Sequence, residues 1–398
     1  MNISQEKLKE SILHYLKWHW TVDNISYDVN DIWSSKAGVF IKEFYLKNKI
    51  LGFPAMAFIH LTDIMTPAIF NSFHTKKRYP IADAHLIMGY INLFELTKDN
   101  IYLNKAKESI ESLIDSSYKT KNGIGWGQPY NWVTPAGTLP INNPTITTTA
   151  YCYDAFELAN NYFKDIDLLK ELKAITLFTQ YDLIGERINR YEEDSKYGYR
   201  YNYKAYNAVA YRATLLAQAY KLFKDKKLII SAHKNINYVI NNQLDDGSWY
   251  YSKDSIFIDN IHTCFILKKL IKYYQITRDN KTLKSIEKGY DFYINNFFRK
   301  DGSLRHFVKV RIPKFRKIEV YDYAEALNLE IEMNKLREPK SKYIQLYIDQ
   351  IINKFQTKEG YFITRINSLN MKNKVPYLGW PQAQMFLSLT KLLNVINE

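Results

Sequence analysis

Glycine and proline are scarce in this 398-residue chain. There are fourteen and eleven of them, about 6% together, where globular proteins average about 12%. Sandwiches and barrels of strands need more tight turns than that supply allows, so the scarcity points to helices. Cysteine is nearly missing too. Cys152 and Cys264 cannot build a disulfide framework, and two thiols in so long a chain fit a reducing compartment. Long apolar runs are absent: the most apolar stretch, Ile50 to Ile59, is cut by Pro54 and followed by His60 and Asp63, too short to span a bilayer. The start, Met1-Asn-Ile-Ser-Gln-Glu-Lys7, lacks the apolar segment and small-residue site of a secretory leader, so the expected location is cytoplasmic. Neither a Gly-rich phosphate loop nor an HExxH pair occurs, and the eight histidines are scattered; no metal and no other cofactor is expected.

Acids are in deficit. Lys plus Arg number 55 against 41 Asp plus Glu, a net charge of +14. Half of that excess lies between Arg299 and Lys317, which hold eight Lys/Arg and one acid. Such a segment either recruits an anionic partner or is a solvated surface loop. Nucleic acid is not the expected partner, because the charge is confined to one loop and no recognition-helix, zinc-finger or RNA-platform pattern accompanies it. Peripheral contact with a membrane through this loop stays open. Aromatics, in contrast, are abundant: 33 Tyr, 21 Phe and 7 Trp, a load that disordered chains do not carry.

The helical-period segments come in pairs, an apolar helix followed by a short polar turn and a more amphipathic helix. The apolar members start near Ile81, Ile146, Ala205, Ile258, Asp322 and Pro381. Asp83, Tyr151, Asn207, His262, Asp322 and Gln382 take similar places on them, at gaps of 68, 56, 55, 60 and 60 residues. A period of this length describes a helical-hairpin array. The long loops all precede the apolar helices and therefore gather at one end, which suits a closed ring with its function at one rim. Six apolar and five amphipathic helices need one more to close. Either Gln5–Trp20 or Asn48–Met65 supplies it, so residues 1–76 complete the ring and 77–398 carry the hairpins. The expected architecture is a single all-α domain, an (α/α)6 toroid.

One segment, Gln243-Leu-Asp-Asp-Gly-Ser-Trp249, has the form Q-x-x-x-G-x-W, with degenerate echoes at Asn122-Gly123-Ile-Gly-Trp126, Arg299-Lys-Asp-Gly302 and Lys358-Glu-Gly-Tyr361. It resembles the structural motif of terpenoid cyclases and prenyltransferase subunits, which are α/α toroids. The Asp-x-Asp-Asp acid of the cyclases is missing, and Asp259, His262 and Cys264 sit closer together than a prenyltransferase zinc set. The rim loops, with Trp126, Gln128, Tyr130, Trp132 and Trp249, look more like the carbohydrate-active (α/α)6 enzymes of surface-polysaccharide clusters: unsaturated-uronide hydrolases, lyases and uronyl epimerases. That resemblance implies an enzyme acting on an anionic oligosaccharide or polysaccharide as epimerase, lyase or hydrolase. An isoprenoid-binding toroid and a non-catalytic glycan-binding scaffold are the alternatives.

Three acid/base candidates follow. Asp259 and His262, three apart on a helix, share a face; the carboxylate either orients the imidazole or only caps the helix. Asp322 and Glu325 share a face likewise, as an acid/base pair with split pKa values or as a helix-start pattern. Asp83 is a third acid or a first-turn dipole partner. Trp126, Gln128, Tyr130, Trp132, Tyr201, Asn207, Trp249 and Trp380 are the expected sugar contacts, with Arg311 and Arg316 holding the anionic groups.

Overall fold

The computed structural model describes residues 5–299, 302–310, 317–337, 341–367 and 369–397. In chain order its helices are α1 (Gln5–His19), α2 (Asp31–Ser34), α3 (Lys36–Lys47), α4 (Lys49–Met65), α5 (Pro80–Thr97), α6 (Asn100–Asp115), α7 (Ile146–Ala159), α8 (Leu168–Leu177), α9 (Tyr206–Phe223), α10 (Lys226–Asn241), α11 (Asn260–Thr277), α12 (Asn280–Phe297), α13 (Val320–Met333), α14 (Ser341–Gln350) and α15 (Ala383–Asn397). Strands are short, at most four residues, and paired in small antiparallel ribbons.

The chemistry of the turns inside each pair is repeated. Lys98, Lys224 and Arg278 end α5, α9 and α11 in the left-handed conformation. The aspartate that follows each of them, Asp99, Asp225 or Asp279, caps the next helix by accepting from a backbone N–H of its first turn. A cation at the helix C-terminus and an anion at the next N-terminus both complement the helix dipoles.

Helices α5, α7, α9, α11, α13 and α15 form the inner ring. Each packs on the next, and α15 returns to α5. They are buried on nearly every face: Ala208 to Ala219 of α9 are buried without interruption. Helices α6, α8, α10, α12 and α14 carry the polar outer faces, and α1 takes the sixth outer position against α15. The architecture is an (α/α)6 toroid.

The glutamine motif bolts neighbouring outer elements together. Gln243 Nε2 donates to Gly247 O at 2.8 Å and to Ser285 O of α12 at 3.0 Å, while Ser285 Oγ donates back to Gln243 Oε1 at 2.8 Å. Gln356 repeats the arrangement across the seam of the ring. Its Nε2 donates to Gly360 O at 3.1 Å and Ser11 O of α1 at 2.9 Å, and Ser11 Oγ donates to its Oε1 at 2.7 Å. Gly247 and Gly360 have φ near +93° and +108°, and a Cβ on either would stand within 2.3 Å of a carbonyl oxygen of the next outer helix. Only glycine fits there. The first and last parts of the chain are thereby joined by the same bolt that joins interior hairpins.

Residues 31–65 do not enter the ring. Helices α2–α4 lie across the loop end, held through Glu43 to Thr138 at 2.7 Å and through a 2.6 Å ion pair of Asp63 with Arg365. Their lead-in contains a buried carboxyl pair. Asp28 and Asp31 are both nearly inaccessible, Asp28 accepts from Asn30, and Asn30 Nδ2 donates to Tyr130 Oη at 3.1 Å. Burial, opposed by the Asn30 bonds and reinforced by Asp31, raises the Asp28 pKa from 3.8 to about 7. A carboxyl held above its unfolded value stabilises the docked state fully below the ordinary carboxylate range. That contribution fades as pH rises through about 7. His74 and Lys77 face Asp31 and oppose the effect. Amide exchange, corrected for its intrinsic pH dependence, should show residues 26–34 less protected at pH 8 than at pH 6, and Asp28→Asn should flatten the difference. Equal protection in the native protein at both pH values would refute this.

Candidate functional site

Inner helices point their N-termini at the loop end, and the side chains of their first two turns converge there. Asp259 is the N-cap of α11. Its Oδ1 accepts from the backbone N–H of His262 at 2.8 Å, and its carboxylate also meets His262 Nδ1 at 2.7 and 2.9 Å. Capping and imidazole orientation are therefore one arrangement, not alternatives. Burial raises the Asp259 pKa, but the His262 and His306 rings outweigh it and the carboxyl is held below its usual value. An ionised carboxylate only accepts, so Nδ1 carries the proton and Nε2 is left as the basic nitrogen.

A second pair of the same kind stands beside it. His306 Nδ1 lies 2.9 and 3.0 Å from the two oxygens of Asp322, at the start of α13. The two pairs are tied by a short ribbon, Ile258–Asp259 against Phe307–Lys309, and by Asn260 N–H donating to His306 O at 3.0 Å. Nothing in the local sequence marks His306, which lies in the basic stretch sixteen residues before Asp322. Its contact with Asp322 forms only when the loop folds back on α13.

Around His262 the aromatics form an unbroken series. Trp132, Tyr197, Tyr203, Tyr251, His262, Phe265, Tyr321 and Trp380 follow one another with ring centroids 4.5 to 6.5 Å apart. They form a bowl at the ring mouth. Beneath them the axis is charged and polar. Glu325, fully buried, pairs with Lys268 and accepts from Gln384 Nε2. Lys269 meets Asp154 at 3.0 Å, and Lys272 meets it at 2.7 Å. Burial alone would raise the Asp154 pKa, but these lysines hold the carboxyl well below its usual range. Tyr211 Oη donates to Tyr151 Oη at 2.7 Å, and His85 stands edge-on to Tyr151 with its pKa lowered to about 3, by burial first and Lys268 second. His85 is therefore neutral in ordinary buffers, and neither of its ring nitrogens has a hydrogen-bond partner among the described residues.

Asp322 and Glu325 do share a helix face, but they meet different partners: Asp322 meets the His306 imidazole and Glu325 the Lys268 ammonium. Asp83 turns toward α6, where Arg78 grips it with two nitrogens at 2.9 to 3.1 Å and Ser112 donates to it at 3.2 Å. Among the expected sugar contacts, Trp132 and Trp380 are half-buried in the bowl. Trp126 and Trp249 are not in it. Their indoles are buried, donating to Leu113 O at 2.8 Å and Val239 O at 2.9 Å, so each clamps a loop to the end of the preceding outer helix. Tyr130 is spent on Asn30, and Tyr201 on Thr134 and Gly137. Gln128 is buried and donates to Thr148 at 3.3 Å, while Asn207 is buried at the mouth end of α9 with no partner for its amide among the described residues. Arg311 and Arg316 lie outside the described residues. Cys264 is buried against Asn260 and Tyr293, and no cluster of three metal-ligating side chains occurs among the described residues. Two cavities, of about 600 and 370 Å³, open elsewhere: one at the base of α4, the other around Arg78 and Asp83.

No family model and no curated protein matches the sequence. Solved structures do match in fold. The chain is similar to cellobiose 2-epimerase from Bacillus thermoamylovorans B4167, with a TM-score of 0.64 and 11% identity over 80% of this chain and 88% of that one. It is also similar to a D-mannose isomerase, TM-score 0.60 and 12% identity over 80% and 88% of the two chains. An unsaturated glucuronyl hydrolase specific for heparin aligns with a TM-score of 0.58 and 13% identity over 81% and 88%. These likenesses establish the toroid.

Proposed function

We propose that this protein is a carbohydrate-active enzyme that moves a proton on an anionic saccharide by general acid/base catalysis, as an epimerase or isomerase. The observation that carries the reading is the pair of His–carboxylate dyads on adjacent inner helices beside an aromatic bowl. His262 Nε2 takes a proton from a carbon next to a carbonyl or carboxylate group. Asp259 stabilises the imidazolium that forms, and His306, backed by Asp322, is the second proton-handling group. Trp132, Tyr251 and Trp380 offer ring faces to the sugar. Glycosidic hydrolysis is less well supported, because it needs two carboxylates free to act across the bond, whereas Asp322 is engaged by His306 and Glu325 by Lys268. The names of the structural neighbours, which include an epimerase, an isomerase and hydrolases, support the broader reading of a carbohydrate-active enzyme.

The anionic character of the substrate is supported by the inner-helix N-termini, which favour negative charge, and by Lys309 at the rim, 2.6 Å from Tyr250 Oη. A reducing, cytoplasmic setting is supported by the two buried free thiols. The test is incubation in D₂O with neutral reducing disaccharides and with uronic-acid oligosaccharides, followed by NMR. Deuterium should enter one carbon of a uronic-acid substrate, with inversion or carbonyl migration there. Release of a free sugar with no deuterium wash-in would replace this reading with a hydrolase.

A further inference from the structure

We infer that the α3–α4 hairpin is a membrane-docking finger that seats the loop end of the toroid on an anionic phospholipid surface. The inference is independent of the chemistry assigned to the bowl. Monomeric proteins seldom expose large contiguous apolar patches, and such a patch rimmed by cations marks an interfacial surface. Phe40, Ile50, Leu51, Phe53, Phe58 and Leu61 are between 55% and 85% exposed, all within twenty-two residues. Yet the hairpin is a built element. Asn48 caps α4 by accepting from Leu51 N–H at 3.1 Å, and Gly52 packs so closely on Tyr45 that a Cβ would come within 2.5 Å of its backbone.

Charge decides what covers the patch. The two acids of α3 and α4 are turned to the protein, Glu43 toward Thr138 and Asp63 toward Arg365. Lys36, Lys47 and Lys49 are exposed, the last two at the tip beside Ile50. The finger therefore presents apolar groups and positive charge and keeps its negative charge inside. The cavity of about 600 Å³ at its base repeats the pattern, with Trp18, Ile25 and Met65 in its wall and Lys76, Lys372 and Lys374 also lining it. An anionic headgroup with its upper acyl chain has that combination of phosphate and hydrocarbon. No described helix is long and apolar enough to cross a membrane, so the fit is to a surface, not a span. Because α3 packs on the strand Trp132–Thr134, the finger stands at the same rim as the bowl.

The test is co-sedimentation of the full chain with vesicles of phosphatidylcholine alone and of equal parts phosphatidylcholine and phosphatidylglycerol. Binding to the anionic vesicles is expected, weakened by salt. The double variant Ile50→Ser/Phe53→Ser should lose about ten-fold or more in partitioning, because two interfacial apolar side chains are removed. Lys47→Glu/Lys49→Glu should lose a similar factor on anionic vesicles only. All four positions are exposed, so circular dichroism and melting should match the native chain. Equal sedimentation with and without vesicles would overturn the inference. So would light scattering that shows a dimer abolished by Ile50→Ser/Phe53→Ser, which would assign the patch to a second copy of this chain.

Discussion

Replacing His262 by alanine should lower turnover on the order of 100-fold or more, the loss typical of a positioned acid or base, with the melting temperature close to native. The expectation rests on how the residue is held. Its side chain is 28% exposed and its one described polar partner is Asp259. Removing the ring leaves the N-cap bond from Asp259 to the backbone of residue 262 intact, so the start of α11 survives. Asp259→Asn should separate orientation from capping. Its amide oxygen still caps the helix, but the imidazole loses the anion that stabilises its charged form. Turnover should fall with little change in KM. Asp259→Ala should add a stability loss of about 1 kcal/mol, the usual value of a helix cap. Near-native turnover of His262→Ala on the substrate found by deuterium wash-in would remove this residue from the chemistry.

The second large effect is on stability. Lys268→Met should destabilise the protein by about 3–5 kcal/mol, because it strands a carboxylate with no accessible surface. Glu325→Gln should be milder. Its amide can still accept from Gln384, and the Lys268 side chain, 13% exposed, retains some access to water. Replacing both, as Lys268→Met/Glu325→Leu, should recover most of the loss, since an apolar pair of similar volume does not carry the desolvation cost. Urea denaturation of the three variants measures this directly. A Lys268→Met chain within about 1 kcal/mol of native would show that the Lys268–Glu325 pair does not hold the axis together. Glu325 is thus a keystone of the axis, and a turnover loss on changing it has to be separated from a folding loss.

The toroid was legible because its causes are local and repeated. Fourteen glycines in 398 residues, apolar helices at a period near 60 and Lys-Asp or Arg-Asp turns between paired helices leave few arrangements other than a ring of hairpins. The Asp259–His262 pair was legible for the same reason: three residues on one helix fix their own geometry. The tryptophans misled because a rim position does not tell which way a side chain turns. Trp126 and Trp249 satisfy their indole N–H groups on carbonyls of the preceding outer helix, a choice made by hairpin packing. Asp322 and Glu325 share a helix face as the spacing requires, yet their partners come from elsewhere in the chain. His306 arrives on a returning loop and Lys268 from the neighbouring inner helix. Gln356 and Ser11 are 345 residues apart and meet only because the ring closes. The sequence alone determined the period, the helix caps and the i,i+3 pairs, since these depend on bonds within one or two turns. Tertiary structure decided which carboxylate meets which partner, which aromatics face the mouth and which apolar face stays uncovered, because each depends on residues distant in the chain.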